Sequence, residues 1–319
     1  MLSLESFSRR RFVGFGATSL LVAPVMAKAQ SIVPTTAQVQ KVAAATDIAN
    51  LLTIGVTIGG KGPFHFVVDT GADRTIIAED LAAALELTRG AMVKVEGAVR
   101  SLPAQTVTLG DISFGAVRKE QLVVPVLPRA LLDADGYLGL DVIDGYQVTL
   151  DFRKRALLIQ EPRNRLVIDH YKDNETTIPV VGEYGHLRTN HSLVDGIITT
   201  TFIDTGAEVS VGNSNLFEAL TAQSASYAGQ ETVTLSGVTG GTLQGRVADI
   251  NRIKMNSLTF YDSKIVICDL QIFDLWGLRA RPALLIGMDF LRHFNQVSVD
   301  YGRKELHFDL ASLITRDRG

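Results

Sequence analysis

The tetrapeptide Asp-Thr-Gly-Ala occurs twice in this chain of 319 residues, in "FVVDTGADRTII" beginning at Phe66 and in "FIDTGAEVSVG" beginning at Phe202. Each copy closes an apolar, strand-like run, so each Asp stands at the mouth of a tight turn with an apolar floor behind it. Further anchors recur in the same order. "YLGLDVIDGYQVTLDFRKRALLI" from Tyr137 answers "LIGMDFLRHFNQVSVDYGRKELHF" from Leu285, and inside them "QVTLD" answers "QVSVD". Ordered self-similarity of this kind marks a duplicated unit. Two copies of one unit can pack about an internal two-fold axis.

Within each unit the pattern is all-β with short helical inserts. "LLTIGVTI" and "PFHFVVDT" flank the turn "GGKG", and "HSLV" and "IITTTFIDT" flank Asp195-Gly196; both are hairpin signals. After the first DTGA, "AEDLAAALEL" has helical composition, with "TRG" as its expected stop, and the second unit shortens this helix to "SNLFEAL". A glycine-bearing hairpin follows in each unit, around Gly97 in the first and from Gly237 through Gly240 and Gly241 in the second. The expected division is a lobe over 46–162, a connector over 163–184, a second lobe over 185–310, a loose leader over 30–45 and a tail over 311–319.

Residues 1–29 read as a twin-arginine signal peptide. Ser8-Arg9-Arg10-Arg11-Phe12-Val13 carries the arginine pair, a short apolar run follows, and Ala27-Lys28-Ala29 is a small-x-small end. The expectation is a periplasmic or secreted protein with no stable membrane anchor once the signal is cleaved.

Composition removes other classes. A formal net charge of −3 with 20% charged residues offers no basic surface for nucleic acid. Cys268 is the one cysteine, which excludes an intrachain disulfide, and its setting in "KIVICDL" reads as a buried strand. The six histidines are scattered without ligand spacing, so no metal is expected. No G-x-S-x-G elbow is present, and "GVTGG" at 237–241 opens no helix, so it reads as a turn and not as a phosphate cradle. No cofactor is expected.

The chemistry available to the repeat is that of paired carboxylates. Two carboxyl groups about 3 Å apart share one proton and split their pKa values. One can then take a proton from water while the other donates to a carbonyl oxygen. Glycines at Gly71 and Gly206 allow close approach of a second backbone, and hydroxyls at Thr70 and Thr205 can bond across to it.

The chain resembles the retropepsin-like aspartic proteases, with two lobes fused in one polypeptide. The likeness rests on the two hydrophobic-hydrophobic-Asp-Thr-Gly-Ala runs at 67–72 and 202–207, the glycine-bearing hairpins, and the hydrophobic-Gly-x-Asp elements at 138–141 and 286–289. It covers roughly residues 46–160 and 185–310. It implies two closed β-barrel lobes in a pseudo-two-fold pair, a polypeptide substrate, and a monomer that is an internal pseudo-dimer. Asp69 and Asp204 then correspond to the catalytic pair, Thr70 and Thr205 to the interlocking threonines, and Gly71 and Gly206 to the loop glycines. Gly97, Gly237, Gly240 and Gly241 fall in the flaps, and Gly139, Asp141, Gly287 and Asp289 are expected to orient local backbone. Ala72 and Ala207 resemble the retroviral form, where pepsin-like enzymes carry Ser or Thr. Loss of that hydroxyl predicts a pair that titrates higher and works in a less acidic range. No residue matches the pepsin-like flap tyrosine. Alternative readings are a peptide-binding module that does not cut, and a protease whose carboxylate pairs form between chains. The distance between Asp69 and Asp204 within one chain separates the last of these from the first.

Overall fold

The computed structural model describes residues 40–46, 52–115, 117–160, 175–183, 186–227 and 231–310. The segment 1–29, read above as an export signal, lies outside them, as does the tail 311–319.

Each repeat closes into a ring of six paired strands. In the N-terminal lobe the ring runs Leu52–Ile58, Lys61–Val68, Gly136–Leu138, Ile76–Ala78, Val117–Leu127, Leu102–Phe114 and back to the first. The C-terminal lobe repeats it with His186–Val194, Ile197–Ile203, Ala283–Ile286, Val211–Gly212, Leu258–Ile267 and Thr242–Met255. Closure leaves these six strands without an open edge and gives each lobe an inside. The period-2 pattern fills it: Ile54, Val56 and Ile58 are buried while Gly55 and Thr57 between them are only partly so. The two expected hairpins turn at Gly59-Gly60 and at Asp195-Gly196, all four residues at positive φ, the type I′ geometry that matches strand twist. Cys268 lies just beyond Leu258–Ile267 and is buried, and burial pushes its thiol pKa up.

The lobes share a central sheet built from the second repeated anchor. Gln147–Asp151 pairs antiparallel with Gln296–Asp300, so "QVTLD" and "QVSVD" bond to each other. Thr149 faces Ser298 at the midpoint, their hydroxyls 2.6 Å apart, and Gln296 faces Asp151 while Gln147 faces Asp300. A two-fold axis through Thr149 and Ser298 therefore relates the two lobes. The sheet extends outward through Ala156–Gln160 on one side and Glu305–Asp309 on the other.

A segment expected to be loose and strands of the expected connector complete that sheet. Gln40–Thr46 overlaps the leader and pairs first with Ala156–Gln160, then with Leu52–Ile58. Glu175–Pro179, inside the connector, pairs with Glu305–Asp309, and Val181–Glu183 continues to His186–Val194. The reason is backbone satisfaction: without these strands both flanks of the central sheet would expose unpaired N–H and C=O groups.

The helices depart from expectation. The first spans only Glu79–Ala84, and Arg89 and Gly90 of its expected stop begin the next strand, Arg89–Val95. The second, expected to be the shorter, spans Ser214–Gln223. The difference lies at the caps. Ala78 offers the first helix no side-chain acceptor, whereas Asn213 Oδ1 accepts from Leu216 N at 3.0 Å. Asn213 is buried and fully bonded: Oδ1 also accepts from Ala283 N at 3.1 Å, and Nδ2 donates to Leu278 O and Arg281 O at 3.1 and 2.8 Å. Asn213→Ala leaves several buried groups unpaired and is expected to cost about 2–4 kcal/mol in denaturant unfolding. Ala78→Asn, at the equivalent position without those partners, is expected to bring no comparable gain.

Candidate active site

Each DTGA turn is delivered by the same local device. The strands Lys61–Val68 and Ile197–Ile203 run parallel to the strands that precede Gly139 and Gly287. Asp69 N donates to Leu138 O and Asp204 N to Ile286 O, both at 3.0 Å. Two glycines let the following turns cross. A side chain at Gly139 would strike the backbone of Arg74, and one at Gly287 the carbonyls of Ala207 and Val209. The expected supports Asp141 and Asp289 then staple the turn. Asp141 Oδ1 accepts from Thr75 N and Oγ1 at 2.9 and 2.7 Å, and Thr75 Oγ1 accepts from Gly139 N at 3.1 Å. Asp289 accepts from Ser210 N and Oγ at 2.8 and 2.7 Å, and Ser210 Oγ accepts from Gly287 N at 3.0 Å. Thr75 and Ser210 were missed in the sequence, although both stand six residues after the Asp of their copy.

The two turns interlock through Thr70 and Thr205. Thr70 N donates to Thr205 Oγ1 and Thr205 N to Thr70 Oγ1, both at 3.1 Å. Thr70 Oγ1 donates to Ile203 O at 3.1 Å, and Thr205 Oγ1 to Val68 O at 2.6 Å. Both threonines are buried, so these bonds have no competition from water. They hold each Asp against the opposite glycine: a Cβ at Gly71 would lie 2.6 Å from Asp204 Oδ2, and one at Gly206 2.6 Å from Asp69 Oδ2. Gly71 N and Gly206 N each donate to their own Asp Oδ1 at 2.8 Å. Ala72 and Ala207 add a backbone N–H to each carboxylate.

The Asp69 and Asp204 side chains of this one chain are hydrogen-bonded to each other. Burial raises both above the ordinary carboxylate range. For Asp69 the neighbouring Asp204 charge adds to that rise and outweighs the Gly71 and Ala72 N–H groups, leaving it well above the range. For Asp204 the rise is held back by Gly206 N–H, the bond from Asp69 and the charge of His186. Tyr137 packs beside the pair; burial, then the Asp69, Glu208 and Asp204 charges, drive its phenol pKa up. The equivalent position in the other lobe is Leu285.

The expected flap glycines come together. A side chain at Gly97 would overlap Thr239, and Gly237, Gly240 and Gly241 lie against Val99 and Arg100. Gly240 and Gly241 have φ of 77° and 81°, which the turn requires. Across this contact Arg100 Nε donates to Thr239 O at 3.0 Å, and Thr239 Oγ1 donates to Arg100 O at 2.6 Å. Gln271, on the short helix Gln271–Leu275 of the C-terminal lobe, binds the first hairpin through Ala98 O, Glu96 and Ser101. Arg100 carried no motif in the sequence, Thr239 was passed over inside "GVTGG", and Gln271 lies far from both hairpins in sequence. A separate cavity of about 670 Å³ lies behind the first hairpin, walled by Leu87, Leu102, Val126, Leu131, Arg89 and Arg100, and neither Asp borders it.

One further side chain joins the lobes near the pair. His186 Nε2 lies 2.9 Å from Asp73 Oδ1, the residue directly after Ala72. Its ring packs at 4.9 Å from Trp276, which stacks on Phe202 at 4.4 Å. Among the described residues, no group of three or more His, Cys, Asp or Glu side chains could hold a metal ion.

A family described as aspartyl protease matches the chain twice, over residues 54–142 and 193–290, one match per lobe. No curated protein sequence matches it.

The raised pair makes stability depend on pH with a definite sign. A carboxyl whose folded pKa lies above its unfolded one stabilises most when protonated, and that contribution is lost as pH rises through the folded value. Asp69→Asn removes the group that ionises at greatest cost. The variant is expected to have a higher denaturant midpoint than wild type at pH 7, with the advantage shrinking toward about pH 4, the unfolded carboxylate value.

Proposed function

The chain belongs to the aspartyl protease family, and from that premise we propose that it is an endopeptidase that hydrolyses peptide bonds with water activated between Asp69 and Asp204. The observation that carries this reading is the hydrogen-bonded carboxyl pair clamped by Thr70 and Thr205. At a shared-proton pair, one carboxylate takes a proton from water as its oxygen attacks the scissile carbonyl carbon. The other carboxyl gives its proton to the carbonyl oxygen, so the tetrahedral intermediate is an uncharged diol. Collapse breaks the C–N bond as a proton passes to the leaving nitrogen. The N–H groups of Gly71, Gly206, Ala72 and Ala207 hold the carboxyl oxygens in place throughout.

The hairpin contact fits a polypeptide substrate. An extended chain entering the cleft has to part Arg100 from Thr239, and the hairpins can then offer their backbone to it by strand addition. Because both carboxyls come from one polypeptide, a monomer suffices for the chemistry. The intact pair also favours catalysis over a binding module that does not cut. The arginine pair and the small-x-small end within residues 1–29 support export by the twin-arginine route to the periplasm or beyond.

The test is digestion of a mixed peptide pool, with new termini read by mass spectrometry. Asp69→Asn and Asp204→Asn are each expected to lower kcat/KM by about 10²–10⁴-fold. Full activity in either variant overturns the shared pair. The raised carboxyls also place the alkaline limb of the pH–rate profile above the ordinary carboxylate range, and an optimum well below about pH 3 contradicts that.

A further inference from the structure

The two hairpins meet tip to tip, yet they are held unequally. Gln271 opens the short helix Gln271–Leu275 of the C-terminal lobe and reaches the first hairpin at three points. Its N–H donates to Ala98 O at 2.7 Å, and its Nε2 donates to Glu96 Oε2 at 2.7 Å and to Ser101 Oγ at 2.6 Å. Ser101 Oγ in turn donates to the same Glu96 oxygen, which closes a small ring of bonds at the base of the tip. Ala98 also packs against the apolar cluster of the C-terminal lobe that holds Leu270 and Phe273. The first hairpin is therefore tied to the body of the opposite lobe.

The second hairpin is held differently. The residue that opens the equivalent helix of the N-terminal lobe is Arg129, and its guanidinium stays within its own lobe, donating to Asp80 at 2.6 Å and to Asp135 at 2.7 Å. Among the described residues, the tip 237–241 makes hydrogen bonds to one residue outside itself, Arg100 of the first hairpin. Leu131 of the N-terminal lobe lies beside Gly240 as an apolar contact. Thr239 is fully buried at the junction, so lifting the tip has to break its two bonds to Arg100. One hairpin is fastened to a lobe, and the other is fastened to a hairpin.

Building on the reading of the chain as a peptidase, we propose that Gln271 is a positioning residue that makes the first hairpin a fixed wall and leaves the second as the moving door. A polypeptide enters by lifting 237–241 away from Arg100 and lies along the first hairpin, whose backbone is already set for strand addition. The fixed wall removes the ordering cost of one hairpin from binding. The closed door adds a cost of its own, because substrate binds only the fraction of molecules in which Thr239 has left Arg100. The two contacts therefore act on affinity with opposite sign. Two hairpins that opened alike would show no such opposition.

The experiment reads mobility first, without substrate, in the full chain carrying Cys268→Ala. Nitroxide labels on cysteines introduced at Met92 and Glu218 span the first hairpin and the opposite lobe, and labels at Thr232 and Ala83 span the second hairpin and its opposite lobe; all four sites are exposed. Double electron–electron resonance is expected to give a distance distribution about twice as broad for the second pair as for the first. Gln271→Ala is expected to broaden the first distribution to match the second. Gln271→Lys, which keeps a donor facing Glu96 and Ser101, is expected to restore the narrow one. On a cleaved peptide, Gln271→Ala is expected to raise KM by about 3–10-fold with kcat within about two-fold, whereas Thr239→Val lowers KM by about 2–5-fold. The proposal is overturned if the two distributions are equally broad before Gln271 is changed, if the first stays narrow in Gln271→Ala, or if both substitutions move KM in the same direction. Should Gln271→Ala not fold, Glu96→Ala loosens the same tie from the hairpin side and decides. Distances that behave as expected in a chain that cuts no peptide support the unequal hairpins and overturn the peptidase reading; cleavage with equally mobile hairpins does the reverse.

Discussion

Four hydrogen bonds between Thr70 and Thr205 and their opposite turns set the distance on which the chemistry depends. Each hydroxyl is used twice, accepting from the facing N–H and donating to the carbonyl just before the facing Asp. Neither hydroxyl can be lost without stranding a buried N–H and a buried C=O in the other lobe, a penalty of about 1–3 kcal/mol for each group. The glycines that follow make the closeness possible, since each lies against the carboxyl of the other copy. Around this clamp the molecule is arranged outward: the staples from Asp141 and Asp289 fix the turns, the rings fix the strands, and the central sheet fixes the rings.

What was legible in the chain was whatever the duplication had kept twice. DTGA, the Gly-x-Asp elements and the paired "QVTLD" and "QVSVD" all took backbone roles with strict geometric demands, so both copies retained them. Thr75 and Ser210 were legible in principle, as hydroxyl residues at matching offsets. Residues that occur in one lobe only left no such trace. His186, Arg100 and Gln271 act through partners 113 to 175 positions away, and no local period announces a contact of that kind. The same limit explains the helices. Ser214–Gln223 is extended by Asn213, whose bonds to Leu278, Arg281 and Ala283 are tertiary. The outer strand Gln40–Thr46 read as loose because its composition is ordinary; a free sheet edge recruits it, as another recruits Glu175–Pro179 from the connector.

The halves thus share a backbone and have drifted apart in side chains. At equivalent places in the two repeats the sequence has Tyr137 against Leu285, Ala78 against Asn213 and Leu51 against His186. None of these changes touches the interlocked turns, which tolerate no substitution without moving a carboxyl. Fusion into one chain is what permits the drift. In an association of identical subunits every change would appear on both sides of the axis, and a one-sided charge could not arise.

The strand pairing across the axis carries a further meaning for the life of the chain. Gln147–Asp151 is synthesised well before its neighbour Gln296–Asp300, which lies in the second lobe. A nascent polypeptide that has released only its first lobe holds a single reactive carboxyl and half of a clamp. The carboxyl pair exists only once the second half has been translated and docked. Vectorial synthesis therefore withholds the carboxyl pair until both lobes are made.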